Sequence, residues 1–301
     1  LAGRRLIDAS PSAEHLSAHV DAAEILVDAL LGTGLSSPVT GRYQSAIEVM
    51  NESGRPIVAV DMPSGLHADS GACLGAAVRA TLTVTFGLPK YGLYLGDGID
   101  LAGVVRVVDI GIPAEYAAAV DSPAFLLSGT RIAELIPARP PSAHKGTFGH
   151  AGIIAGAVGK SGAAALAAKA ALRVGTGLVT VATPAGVNAT IESKLLEAMT
   201  QPIPDTADHQ FGRCSIEALV AFAQRKTGLA IGPGIGTDPE TMEAVRRLLP
   251  QLLVPCVVDA DALSAAAELP LPWAQCNAPM ILTPHPGEMA RLTGMEHGQA
   301  V

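Results

Sequence analysis

Residues 27–41 read VDALLGTGLSSPVTG. An apolar run that opens with EILVDALLG (24–32) carries a carboxylate, Asp28, and then breaks into a loop with almost no side chains. GRYQSAIEVMNESG (41–54) follows, with helical spacing of its apolar residues and a terminal glycine. Strand, glycine loop and helix in that order are the first half of a βαβ unit, which implies a parallel sheet. Three more β-branched or aliphatic runs continue the pattern: RPIVAVDMPSG (55–65), ATLTVTFGLPK (80–90) and GVVRVVDIGIP (103–113).

The alternation lapses around 113–145, where Pro123, Pro137, Pro140 and Pro141 fall among small polar residues, the pattern of a linker. It then restarts. HAGIIAGAVG (150–159) is a strand into a glycine loop, and SGAAALAAKAALRVGTG (161–177) is a helix stopped by glycines. Strands are expected at LVTVATP (178–184), GLAIGPGIGTD (228–238), PCVVDADAL (255–263) and MILTPHPGEM (280–289). The fold class expected is therefore α/β, with two tandem units at 1–116 and 117–301.

The bulk numbers agree. With 301 residues, 49% hydrophobic and 16% charged, the chain can bury two cores. A net charge of -8 argues against a nucleic-acid or anionic-membrane binder, which needs a basic face. It does not exclude a phosphorylated small molecule, because glycine loops and helix N-termini bind phosphate without net positive charge. The four cysteines contain no C-x-x-C pair and read as free thiols of a reducing compartment. No apolar run is long enough to span a membrane, and no secretory leader is recognisable.

In open α/β sheets ligands bind beyond the carboxyl ends of strands. In the first unit those ends carry Asp28 with Gly32, Thr33, Gly34, Leu35 and Ser36, and Asp61 with Pro63 and Ser64. Two carboxylates and a hydroxyl at neighbouring ends could hold a monovalent cation or a ligand hydroxyl. The alternative is that Asp28 and Asp61 only cap helices. A full G-x-G-x-x-G fingerprint is lacking. In the second unit the corresponding loops supply Lys145, Gly232, Gly234, Gly236, Asp259, Asp261, His285, Gly287 and Glu288. His285 lies between two prolines, stiff enough either to aim a side chain or to form a backbone-bonded turn. If Asp259 and Asp261 share a strand, they face opposite ways.

These motifs carry a resemblance. VDALLGTGLSSPVTG and IVAVDMPSGLHADSG resemble the YjeF N-terminal family, the NAD(P)H-hydrate epimerases. HKGTFGH, GAAALAAKAALRVGTGLVTV, IGPGIGT, VVDADAL and TPHPGE resemble, in order, the YjeF C-terminal family, ADP-dependent NAD(P)H-hydrate dehydratases of the ribokinase-like superfamily. The tandem is that of the bifunctional bacterial repair enzymes. The resemblance implies two three-layer αβα units, a Rossmann-like YjeF N-type domain followed by a ribokinase-like domain. It implies a potassium ion (K+) on Asp28 and Ser64. The hydrated nucleotide is expected on Gly32, Thr33, Gly34, Leu35, Ser36, Ser37 and Pro38, with Asp61 as the catalytic carboxylate that also contacts it. In the second unit, substrate contacts are expected at Ala163, Gly234 and His285.

The implied activity is repair of hydrated NADH and NADPH. One half interconverts the R and S hydrates. The other uses ADP, with Mg2+, to turn the hydroxyl of the S hydrate into a phosphate leaving group. A homo-oligomer in the cytoplasm is expected. Two alternatives remain open: a ribokinase-type small-molecule kinase, and a non-catalytic nucleotide-binding scaffold. Two family features are not found in these residues, an Asn-rich glycine loop upstream and the K-G-x-x-T and G-T-G-D loops downstream. The chain therefore reads as the middle of such an enzyme, and no dehydratase activity is expected of it alone.

Overall fold

The computed structural model describes residues 13–120, 124–136, 138–268 and 273–295. Two compact units divide between Ser128 and Gly129, later in the chain than the 116/117 boundary expected from sequence.

The first unit runs α1 (Ala13–Asp21), β1 (Leu26–Asp28), α2 (Gly41–Glu52), β2 (Ile57–Val60), β3 (Leu82–Phe86), α3 (Gly98–Leu101), β4 (Val104–Val108) and α4 (Ala114–Ala118). Its four strands are parallel, in the order β1-β2-β3-β4. Register places Asp28, Ala59 and Thr83 in one row across the sheet, and all three are fully buried. That face is covered by α1 and α2, through Leu16, Val20, Ala46, Ile47 and Met50 against Leu26 and Ile57. The next row, Val27, Val58, Leu82 and Val104, lies on the other face, where Val27 is 64% and Val104 55% exposed.

The second unit runs α5 (Gly129–Leu135), β5 (His150–Ile154), α6 (Ser161–Arg173), β6 (Leu178–Pro184), α7 (Asn188–Glu192), β7 (Met199–Ile203), α8 (Ile216–Ala223), β8 (Gly228–Ile231), α9 (Pro239–Leu248), β9 (Cys256–Val258), α10 (Asp261–Glu268), β10 (Met280–Leu282) and α11 (Pro286–Thr293). All pairings are parallel, in the order β10-β9-β8-β5-β6-β7. Both faces are covered. Ala164, Ala165 and Ala168 of α6 pack with Ile153, Val179 and Val181 on one side. Leu219, Phe222, Met242, Val245, Leu248 and Leu263 of α8, α9 and α10 pack with Ile154, Leu229 and Ile231 on the other. Small alanine side chains thus form the buried face of α6.

Both units are α/β with parallel sheets, as the alternation implied. Four details differ from the sequence reading. The 113–145 stretch, read as a linker, contains α4 and α5. Neither buries a residue, so neither leaves a hydrophobic period to detect; Pro123 and Pro137 lie outside the described residues. Strand β7 was not anticipated. It contains Pro202, which an edge strand tolerates, and β7 pairs only with β6. HKGTFGH precedes β5, so Lys145 sits at the amino-terminal edge of the sheet, opposite the other loops. Asp259 and Asp261 are not strand neighbours: β9 ends at Val258, Ala260 takes φ 50°, and Asp261 begins α10.

Candidate active site at the strand ends

Asp28 closes β1 on the buried face. Ser64, 1% exposed, lies in the loop after β2. The Ser64 hydroxyl donates to Asp28 Oδ1 at 2.6 Å and its backbone N–H to Oδ2 at 2.8 Å. Leu30 N donates to Oδ1 at 3.3 Å, and Leu31 N to Ser64 Oγ at 2.8 Å. Burial raises the Asp28 carboxyl above the usual carboxylate range, and the bonds from Ser64 and Leu30 only partly counter it. No helix starts at Asp28; α2 is preceded by Thr40. The helix-cap reading of Asp28 is therefore excluded.

The loop Gly32 to Pro38 is tied at its start by Ser64 and just past its end by Val39 N, which donates to the Leu74 carbonyl at 2.8 Å. Between these anchors Gly32, Thr33, Gly34, Ser36, Ser37 and Pro38 are exposed and Leu35 is half-buried. A Cβ on Gly32 or Gly34 would meet nothing within 4 Å, and neither takes a positive φ. Neither packing nor conformation therefore requires glycine at these positions, and the missing side chains leave open backbone after Asp28 and the Ser64-bonded Leu31.

Asp61 follows β2 with φ 68°, a left-handed conformation uncommon outside glycine. Strain of this kind collects at functional sites. Its N–H still donates to the Val84 carbonyl at 2.8 Å, so the chain holds register with β3 while the side chain turns. Asp61 Oδ1 accepts from Lys90 Nζ at 2.5 Å, Phe86 N at 3.0 Å and Thr85 Oγ1 at 3.1 Å. Burial alone would raise its carboxyl, but Lys90 and the Phe86 and Thr85 donors outweigh it and hold the group below the usual range. Lys90 was not among the residues the sequence singled out. Its signal was GLPK (87–90): Gly87 at φ 68° and Pro89 make the turn that returns Lys90 over the end of β3.

In the second unit Gly234 and Ala163 meet. A Cβ on Gly234, which takes φ 64°, would lie 3.0 Å from the Ala163 Cβ and 3.0 Å from the Lys160 carbonyl oxygen. Lys160 Nζ pairs with Asp261 Oδ2 at 3.0 Å, and Gly236 N donates to the same oxygen at 3.0 Å. Asp259 Oδ1 accepts from Thr283 Oγ1 at 2.8 Å. Loops after β5, β8, β9 and β10 are thus cross-linked at one edge, with both carboxylates occupied.

His285 caps α11. Its Nδ1 accepts from Gly287 N at 3.1 Å, and its own N–H donates to Glu288 Oε2 at 2.9 Å. Its side chain is 64% exposed. His285 thus forms the backbone-bonded turn, and its exposed ring leaves room for the ligand contact expected of it. His285→Ala should cost about 1 kcal/mol through the lost cap. His285→Asn should restore that stability, because asparagine caps well. Thermal melts of the two variants check this.

Among the described residues no group of three or more His, Cys, Asp or Glu side chains is placed to hold a metal ion. The oxygens of Asp28, Ser64 Oγ and the Leu31 carbonyl form a different kind of cluster, with Ser64 Oγ 3.2 Å from the Leu31 oxygen. Hard oxygens with one carboxylate suit a weakly held monovalent cation better than a transition metal.

Against known proteins, residues 2–92 match the family model of the YjeF-related protein N-terminus. Residues 151–300 match that of NAD(P)H-hydrate dehydratase. The chain is thus similar to both families, one after the other. It is 43% identical over 90% of its length to the bifunctional NAD(P)H-hydrate repair enzyme Nnr of Moorella thermoacetica, covering 51% of that protein. It is 42% identical, again over 90% of its length, to the enzyme of the same name from Salinibacter ruber, covering 51% of it. The chain thus spans about half the length of the curated relatives it matches. A solved structure of a hypothetical protein, SMU.573 from Streptococcus mutans, superposes with a TM-score of 0.50 at 26% identity, over 59% of this chain and 60% of that one.

Proposed function

We propose that this chain carries a site for epimerising hydrated NADH and NADPH in its first unit and part of an ADP-dependent dehydratase site in its second. The observation that carries the reading is the pair of strand ends in the first unit. There a buried Asp28–Ser64 couple and a quarter-exposed, ionised Asp61 flank an open glycine loop. In this reading Gly32 to Pro38 offer backbone groups to the nucleotide, and Asp61 accepts a hydrogen bond from it. Asp28 itself is shielded from water, being fully buried.

A potassium ion would sit on Asp28, Ser64 and the Leu31 carbonyl, where its charge would offset the burial that now disfavours the Asp28 carboxylate. In the second unit Ala163, Gly234 and His285 would contact the S hydrate. ADP would supply the phosphoryl group that makes its hydroxyl a leaving group. Mg2+ would travel with the ADP phosphates, as is usual for that ion, since Asp259 and Asp261 are already paired. We also propose a homo-oligomer working in the cytoplasm. Among the described residues no helix is long and apolar enough to cross a membrane.

The test is chromatographic: pure R hydrate is incubated with protein and the S form quantified, with K+ replaced by Li+ in a parallel arm. Asp28→Asn should abolish the K+ dependence and slow interconversion. It should also cost about 1–3 kcal/mol of stability, because its amide sets a donor against a Ser64 donor. Interconversion unchanged in Asp28→Asn would sink the assignment.

A further inference from the structure

All three protein donors to Asp61 land on one oxygen. Oδ1 accepts from Lys90 Nζ, Thr85 Oγ1 and Phe86 N, while Oδ2 has no hydrogen-bond partner among the described residues. Lys90 is equally committed. An ammonium has three hydrogens, and its three acceptors are Asp61 Oδ1 at 2.5 Å, Phe86 O at 2.8 Å and Thr85 Oγ1 at 2.9 Å. Thr85, fully buried, accepts from Lys90 and donates to Asp61, which closes the ring of bonds.

Such saturation decides between two roles for the lysine. A lysine that contacted a ligand would keep a hydrogen for it; this one has none left. A carboxylate that served only as an ion-pair partner would share both oxygens; this one presents its second oxygen bare, on a side chain 24% exposed. The left-handed backbone at Asp61 adds to this, because it holds the side chain in reach of Lys90 against a conformational cost.

We propose that Lys90, with Thr85, is a positioning residue that clamps Asp61 through Oδ1 so that Oδ2 is the acceptor for a hydroxyl of the hydrated nucleotide. The clamp rests on the epimerase reading of this site. Among the described residues Lys90 is the charged group acting on Asp61, and Thr85 and Phe86 contribute neutral donors. Because these donors hold the folded carboxyl below its unfolded value, the ionised clamp is complete above the ordinary aspartate range. It is lost only as pH falls through the lowered value.

The experiment compares wild type, Lys90→Met and Thr85→Val by two readouts. Carboxyl ¹³C NMR follows the titration of Asp61, assigned with Asp61→Asn. The pH profile of R-to-S interconversion follows its use. In Lys90→Met the Asp61 titration should move up by about one unit or more, the effect expected of losing an adjacent opposite charge. The acid limb of the rate profile should move with it. Thr85→Val should shift both in the same direction by less. It also serves as the deciding variant if Lys90→Met does not fold. An unmoved Asp61 titration in a folded variant overturns the clamp. A moved titration with an unmoved rate profile overturns its role in the reaction. If wild type interconverts nothing, the epimerase reading fails, while the titration still decides whether Lys90 sets the state of Asp61.

Discussion

Asp61→Asn is expected to slow interconversion of the R and S hydrates by roughly 100-fold or more, the scale of losing one preorganised hydrogen-bonding group from a site. The amide oxygen can still accept from Lys90, Thr85 and Phe86, so the clamp geometry survives. What changes is the free end: Oδ2, a bare acceptor, becomes an NH2 donor, and the charge is gone. Melting temperature should move little, since the pair is partly exposed and such pairs contribute modestly. Undiminished interconversion would remove Asp61 from the reaction. A large fall in melting temperature would show that the clamp serves the fold instead.

Gly232→Ala should produce the largest loss of stability of any change considered. Gly232 takes φ 124°, outside the range open to alanine, and a Cβ there would lie 1.8 Å from the Asp259 carbonyl oxygen and 2.9 Å from the Ala262 Cβ. Its N–H donates to the Ile154 carbonyl at 3.1 Å, and Asp259 N donates to the neighbouring Ile231 carbonyl at 3.0 Å, so this turn ties the ends of β5, β8 and β9 together. Relief requires moving backbone, and the expected cost is about 3 kcal/mol or more. Gly162→Ala is the control. It sits in α6 with nothing within 4 Å of an added Cβ, and should stabilise by up to about 1 kcal/mol. The single tryptophan, Trp273, lies in the second unit, so urea titration followed by its fluorescence reads that unit alone. Equal stability for the two variants would mean that the β8 turn is free to rearrange.

Much of this was legible in the sequence for identifiable reasons. Strands buried on both faces, such as LVTVATP, are near-continuous runs of aliphatic and β-branched residues, and parallel pairing follows from the helices between them. Glycine runs at strand ends stood out because nothing else there competes for a reading. Helices α4 and α5 did not stand out, since they bury nothing, and β7 was hidden by Pro202 at the sheet edge.

By itself, then, the sequence determined two α/β units, the loops at their strand ends, and the candidates Asp28, Asp61, Ser64, Gly234 and His285. Local spacing is enough for that, because a strand, its loop and its helix are contiguous. Only the tertiary structure decided which of those side chains meet. Asp28 and Ser64 are 36 residues apart yet share two hydrogen bonds. Lys90 reaches Asp61 across 29 residues, and Lys160 reaches Asp261 across 101. The physical reason is that parallel pairing aligns the ends of strands distant in the chain, and side-chain hydrogen bonds, effective only within about 3 Å, depend on that alignment rather than on any local pattern.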